Sequence, residues 1–156
     1  MHPFAESQQT AHHIAAAVSA RGGRAYYVGG YVRDLLLGQE NTDLDIEVHG
    51  ITPTALAAIL DAHGERITVG ESFGIYTLKG YAIDIAMPRR EHATGRGHRD
   101  FTVDVDPFIG TAQAAARRDF TVNAMMQDVL TGEMIDHFGG MEDLRAGVIR
   151  HVNDQS

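Results

Sequence analysis

The run Tyr26-Tyr27-Val28-Gly29-Gly30-Tyr31-Val32-Arg33-Asp34-Leu35-Leu36-Leu37-Gly38, separated by four residues from Asp43-Leu44-Asp45, constrains this chain more than any other stretch in it. Ala25 to Val28 has the aromatic and β-branched content of a strand. Gly29-Gly30 ends that strand, because glycine reaches backbone conformations closed to other residues. Val32, Leu35 and Leu36 then recur at helical spacing, and Gly38 stands where a left-handed cap closes a helix. The glycine pair therefore opens a helix, whose first N–H groups lack internal partners and lie at the positive end of the dipole. A phosphate suits that position, and Arg33 in the first turn adds a planar fork of donors.

Asp43-Leu44-Asp45-Ile46-Glu47-Val48 alternates acid and aliphatic residues, which predicts a half-buried strand with Leu44, Ile46 and Val48 facing the core. Asp43 and Asp45 then share a face, roughly 6.5–7 Å apart along the backbone. Carboxylates held together repel unless a divalent cation neutralises them, and hard oxygen ligands of this kind suit magnesium. Glu47 reads as an exposed continuation of the pattern. Ile75 to Ala86 reads as two strands joined by a Lys79-Gly80 turn, with Asp84 interrupting an otherwise apolar second strand. Asp84 either faces Asp43 and Asp45, holding metal or deprotonating an attacking hydroxyl, or forms a salt bridge to Arg89 or Arg90.

Between Pro88 and Asp100, four arginines and two glycines without apolar periodicity predict a mobile basic loop able to touch a triphosphate or an RNA backbone. Ala112 to Met126 has helical composition and carries Arg117-Arg118-Asp119. Thr131-Gly132 marks a hairpin turn, Met141 to Arg145 a short helix, and Val148 to Val152 a strand-like end. Together with a helix around Thr54 to His63 and three short strands between Arg66 and Ala86, this alternation implies an α/β (α+β) chain, with a mixed β-sheet covered by helices.

Bulk properties narrow the reading. The 156 residues fit one domain, 1–156, and the net charge of −8 argues against a strong, general nucleic-acid binder. Six of the 13 basic residues nevertheless fall between Arg89 and Arg118, which would place a positive wall beside the acidic strand. The absence of cysteine excludes disulfides and thiolate metal sites and fits a reducing compartment. No apolar run is long enough for a membrane span, and Met1 to Arg24 reads as an amphipathic helix and not as a signal peptide. A cytoplasmic protein with no membrane partner is expected. The nine scattered histidines read as surface or packing residues.

Gly29 to Gly38 followed by Asp43 to Asp45 resembles the head domain of the class II tRNA nucleotidyltransferases, the CCA-adding enzymes, and of bacterial poly(A) polymerases. That family looks like Gly-Gly-x-Val-Arg-Asp-x-Leu-Leu-Gly, a short spacer and Asp-x-Asp. Arg117-Arg118-Asp119-Phe120-Thr121-Val122-Asn123-Ala124-Met125 resembles a second family motif, and Asp136 to Leu144, running on to Val152, a third. The resemblance implies a polymerase β-type nucleotidyltransferase fold and magnesium-dependent, template-independent transfer of nucleotides from ATP, CTP or both to an RNA 3′ end, that of a tRNA. It implies Asp43, Asp45 and Asp84 as the catalytic, Mg2+-holding acids. Gly29, Gly30, Arg33 and Arg118 would hold the triphosphate, while Asp119 and Asn123 would shape the ribose site or brace their segment against the catalytic strands. Family members continue into a helix with Glu-Asp-x-x-Arg that selects the base and into helical neck, body and tail domains that clamp tRNA. Those lie outside this chain, which is expected to be either a fragment of such a protein or a stand-alone head that borrows its RNA-binding surface from a helical partner. Two other readings remain at this point: a head that binds NTP but needs a partner for transfer, and a small-molecule nucleotidyltransferase, which shares the fold but usually opens with Gly-Ser.

Overall fold

Apolar and polar residues alternate along Leu44–His49, and the segment forms a central strand, β2, with Leu44, Ile46 and Val48 fully buried on one face. The computed structural model describes residues 3–70, 74–93 and 101–153. On one side β2 pairs antiparallel with β1 (Arg24–Val28), and on the other it pairs parallel with β5 (Ile83–Ala86). β3 (Arg66–Gly70), β4 (Ile75–Leu78), β8 (Met126–Asp128) and β9 (Met134–Ile135) complete a seven-stranded mixed sheet in the order β3-β4-β5-β2-β1-β8-β9.

The apolar face of this sheet packs against α1 (Phe4–Ala20) and α3 (Pro53–Asp61). Ile14 and Val18 of α1, and Leu56 and Leu60 of α3, are fully buried against Leu44, Ile46, Ile83 and Ile85. Each such side chain contributes about 1.5–3 kcal/mol through burial, so these contacts decide which face of β2 and β5 turns inward. The opposite face carries Asp45, Glu47 and Asp84. Ala114 and Ala115 of α4 (Thr111–Ala116) lie beside Glu47 on that face, α2 (Gly30–Leu36) touches β1, β2 and a 3-10 turn (Thr121–Asn123), and α5 (Gly140–Ala146) packs on that turn. Among the described residues, no helix is long and apolar enough to cross a membrane.

Three expectations need correction. Arg89–Ala93 is not loop but a strand, β6, paired antiparallel with β7 (Phe101–Val105) as a separate two-stranded sheet. A ladder of this kind is held by backbone hydrogen bonds and requires no apolar period in either strand. The remainder of the expected basic loop, with Arg96 and Arg99, lies outside the described residues. The helix expected over Ala112 to Met126 stops at Ala116, because the Asp119 carboxylate accepts the Phe120 N–H at 2.7 Å and the chain extends there. Val148 to Val152 forms no ladder of its own, only a bridge between Phe120 and His151.

The C-terminal segment is nonetheless tied down. The Asp136 carboxylate accepts the Gly140 and Met141 N–H groups at 2.7 and 3.0 Å, capping α5. A Cβ on Gly140 would collide with the Thr121 carbonyl, so glycine is what lets α5 approach the 3-10 turn. Behind that contact, the buried Asp143 carboxylate accepts from Thr121 Oγ1 at 2.6 Å and from Arg150 Nε at 3.1 Å. The hydrogen bond from Thr121, and then that from Arg150, hold the Asp143 carboxyl below its ordinary 3.8. A lowered pKa contributes stability above the unfolded value that is lost as pH falls through the folded one. Asp143→Asn should therefore lower the melting temperature at pH 7, with the difference from wild type shrinking below about pH 4. Thermal unfolding followed by circular dichroism across that range checks both parts.

Candidate functional site

The polar face of β2 and β5 opens into a cleft of about 430 Å³ whose walls bring together Gly29, Gly30, Arg33, Asp45, Asp84, Arg118, Asp119 and Asn123. Its floor is set by strand register. Asp45 of β2 lies directly across the parallel ladder from Asp84 of β5, while the neighbours Leu44, Ile46, Ile83 and Ile85 point into the core. Asp84 is exposed on the open face and Asp45 is half-buried. Burial raises the Asp45 pKa above its ordinary value, and Asp84 and, less strongly, Asp43 push it in the same direction; Arg118 opposes them.

Gly29 begins the second wall. With φ of +65° it turns the chain from β1 into α2, and a Cβ there would stand 3.9 Å from the Asp45 carboxylate. The turn thus lays the start of α2 beside the acids. Arg33 folds back toward Gly30, with its Nη2 3.2 Å from where a Cβ on that residue would sit. Arg33 donates through Nε to Asp34 Oδ1 at 3.2 Å and through Nη1 to Asn123 Oδ1 at 3.0 Å. Asn123 in turn donates to Asp119 Oδ1 at 3.3 Å. The Phe120 N–H, followed by Asn123, holds the Asp119 carboxyl below its ordinary value. Residues 90 positions apart in sequence are thereby linked across the cleft.

Asp43 is the site residue the structure sets apart. Its N–H donates to Asn41 Oδ1 at 2.9 Å, β2 begins only at Leu44, and Asp43 lines a neighbouring cleft with Thr42, Tyr81 and Asp84. Its charge adds to the rise of the Asp45 pKa. The alternative of an Arg90 salt bridge to Asp84 does not occur. Arg90 pairs with Asp106 at 2.9 Å.

Glu47 overturns its expected exposure. It is buried, with Oε1 2.7 Å from His49 Nε2, and Oε2 accepting from Arg118 Nη2 at 3.4 Å. Period-two alternation through Asp45, Glu47 and His49 signals one shared face; what covers that face, Arg118 and the end of α4, comes from far along the chain.

Among the described residues, no three carboxylate or imidazole side chains form a complete cation site by themselves. Asp45 and Asp84 offer two hard oxygen donors in register, and the Asp45 pKa, raised by burial first and by the Asp84 charge second, marks a carboxylate whose charge a cation would stabilise. Magnesium is commonly held by one or two carboxylates together with substrate phosphates, so the donor set fits it. The sign of the Asp45 shift gives a test on the metal-free protein. A carboxyl whose pKa is raised on folding destabilises the fold as pH rises through the unfolded value, and fully above the folded one. Asp45→Asn should therefore raise the melting temperature at pH 7 in chelator, and the gain should vanish below the ordinary carboxylate value of 3.8.

Comparison with known proteins agrees with this architecture. The family described as the poly(A) polymerase head domain matches residues 25–150. A protein of Xanthomonas oryzae named "Multifunctional CCA protein" is 42% identical over 129 residues, which is 83% of this chain and 30% of that protein. The chain thus spans about 30% of the length of the curated relatives it matches. Among solved structures, the Bacillus stearothermophilus CCA-adding enzyme in complex with CTP superposes with a TM-score of 0.75 at 33% identity, over 99% of this chain and 35% of that one. The Thermotoga maritima CCA-adding enzyme complexed with tRNA gives 0.70 at 31% identity, over 93% of this chain and 32% of that one.

Proposed function

The chain belongs to the poly(A) polymerase head-domain family, and from that premise we propose that it carries the catalytic cleft of a magnesium-dependent, template-independent nucleotidyltransferase, which adds nucleotides from ATP or CTP to the 3′ end of a tRNA. One observation carries the reading. Two carboxylates stand in register on adjacent parallel strands, and two arginines fixed by other side chains face the same cleft. Substrates of opposite requirement, a cation and a polyphosphate, are both provided for within about 430 Å³.

In this reading Asp45 and Asp84 would hold Mg2+, and Asp43 strengthens the negative potential from the adjoining cleft. When bound, the cation supplies charge neutralisation at the α-phosphate and departing pyrophosphate and lowers the pKa of the attacking 3′-hydroxyl. Arg33 and Arg118 take the non-bridging phosphate oxygens as planar donors, and the turn at Gly29 and Gly30 lets the triphosphate approach the backbone closely. Asp119 and Asn123 line the cleft, and their polar groups suit a ribose. CTP and tRNA, bound by the Bacillus and Thermotoga relatives, support NTP and tRNA as the ligands of this chain. A helical surface supplied by further residues of the protein, or by a partner, would grip the tRNA body. Such an enzyme works in the cytoplasm, where NTP and tRNA meet.

The test is release of pyrophosphate from NTP with tRNA lacking its terminal CCA. Asp45→Ala combined with Asp84→Ala should lower turnover on the order of 10³-fold or more, since several kcal/mol of charge stabilisation are removed. Asp43→Ala should cost less, because that side chain stands outside the cleft wall. Turnover retained in the double variant, with its circular dichroism unchanged, rejects the assignment.

A further inference from the structure

The face of β2 that carries Asp45 also carries Glu47, a carboxylate the proposed chemistry leaves unused. Glu47 is only 7% exposed. One of its oxygens lies 2.7 Å from His49 Nε2 and the other accepts from Arg118 Nη2 at 3.4 Å. His49 is itself buried, stands edge-on to the Tyr26 ring at 5.3 Å, and has no hydrogen-bond partner for Nδ1 among the described residues. With Nδ1 buried and without a partner, the arrangement suits a ring that donates through Nε2 to Glu47. The histidine thus clamps one oxygen of Glu47 and leaves the other directed at Arg118.

Arg118 has two carboxylates within electrostatic reach, Glu47 and Asp45, two residues apart on the same strand face. Released from Glu47, its guanidinium could close on Asp45 and mask the acid that faces the cleft. Held by Glu47, it spends one N–H on a buried anchor and keeps the rest of its planar fork for the cleft, which Arg118 lines beside Asp45 and Asp84.

We infer that Glu47, backed by His49, is a positioning residue that holds Arg118 away from Asp45 and presents it to the phosphate chain of a nucleoside triphosphate. This inference rests on the nucleotidyl-transfer reading above and adds to it a determinant of triphosphate affinity. Glu47 does not touch the nucleotide; it acts through Arg118. A carboxylate kept only for stability would affect every ligand of the cleft alike, whereas one acting through Arg118 discriminates by phosphate number.

The experiment measures binding of ATP and CTP, and of AMP and CMP, with magnesium present, to wild type, E47Q, R118A and the double variant. Losing a hydrogen bond to a charged group predicts NTP binding about tenfold weaker in E47Q, with monophosphate binding changed by less than about twofold. R118A should lose at least as much, and adding E47Q to R118A should cost nothing further. E47D, which keeps the charge but is too short to bridge His49 and Arg118, is the second variant if E47Q does not fold. It should show the same selective loss for triphosphates. Equal losses for triphosphate and monophosphate, losses that multiply in the double variant, or unchanged NTP binding in E47Q overturn the inference while leaving the transfer reading intact. Wild-type protein that binds no NTP overturns the transfer reading, and this inference with it.

Discussion

The parallel pairing of β2 with β5 is the constraint from which the cleft follows. Neighbouring strands lie about 4.8 Å apart, so in-register pairing of Asp45 with Asp84 places two acids side by side. Left to electrostatics, the strands would slide. They cannot, because a one-residue slip of β5 would turn Ile83 and Ile85 out of the core and bring Asp84 in. Hydrophobic burial on one face therefore enforces an unfavourable contact on the other, where the Asp84 charge adds to burial in raising the Asp45 pKa. A fold that stores repulsion at one place is poised to take up positive charge there.

The opposing wall is organised on the same principle with the signs reversed. Neither cleft arginine is left to find its own position. Arg33 is fixed by Asp34 and Asn123, and Arg118 by Glu47. Asp34 also accepts from Asn41, whose side-chain oxygen takes the Asp43 N–H, so one chain of hydrogen bonds runs from the 3-10 turn through α2 to the approach of β2. Side chains ordered before a ligand arrives lose less entropy on binding it. The first two sequence motifs are thus joined by a contact between residues 90 positions apart, and the third is tied to the second by the bond from Thr121 to Asp143.

Much of this was legible in the sequence where the signal was local. β1, the glycine turn, α2 and β2 followed from periodicity and backbone freedom, and the Lys79-Gly80 turn placed Asp84 on a strand of its own. Asp43 was expected inside the same strand as Asp45, and the strand begins one residue after it. Alternation governs residues inside a strand, and the Asn41 side chain starts this one a residue later. Glu47 was illegible for another reason. Period two assigns a face and says nothing of depth, which depends on Arg118 arriving 71 residues later. The helix expected past Ala116 failed where a single carboxylate, Asp119, offered the backbone another partner.

The central claim is that the acids of β2 and β5 and the arginines opposite them form one binding unit for a cation and a triphosphate together. Calorimetric titration of the protein with CTP or ATP, once in magnesium and once in EDTA, tests it most directly. Saturable binding is expected in magnesium and severe weakening in EDTA, because without a cation the phosphates meet Asp45 and Asp84 unshielded. Binding of equal strength in both buffers would contradict it.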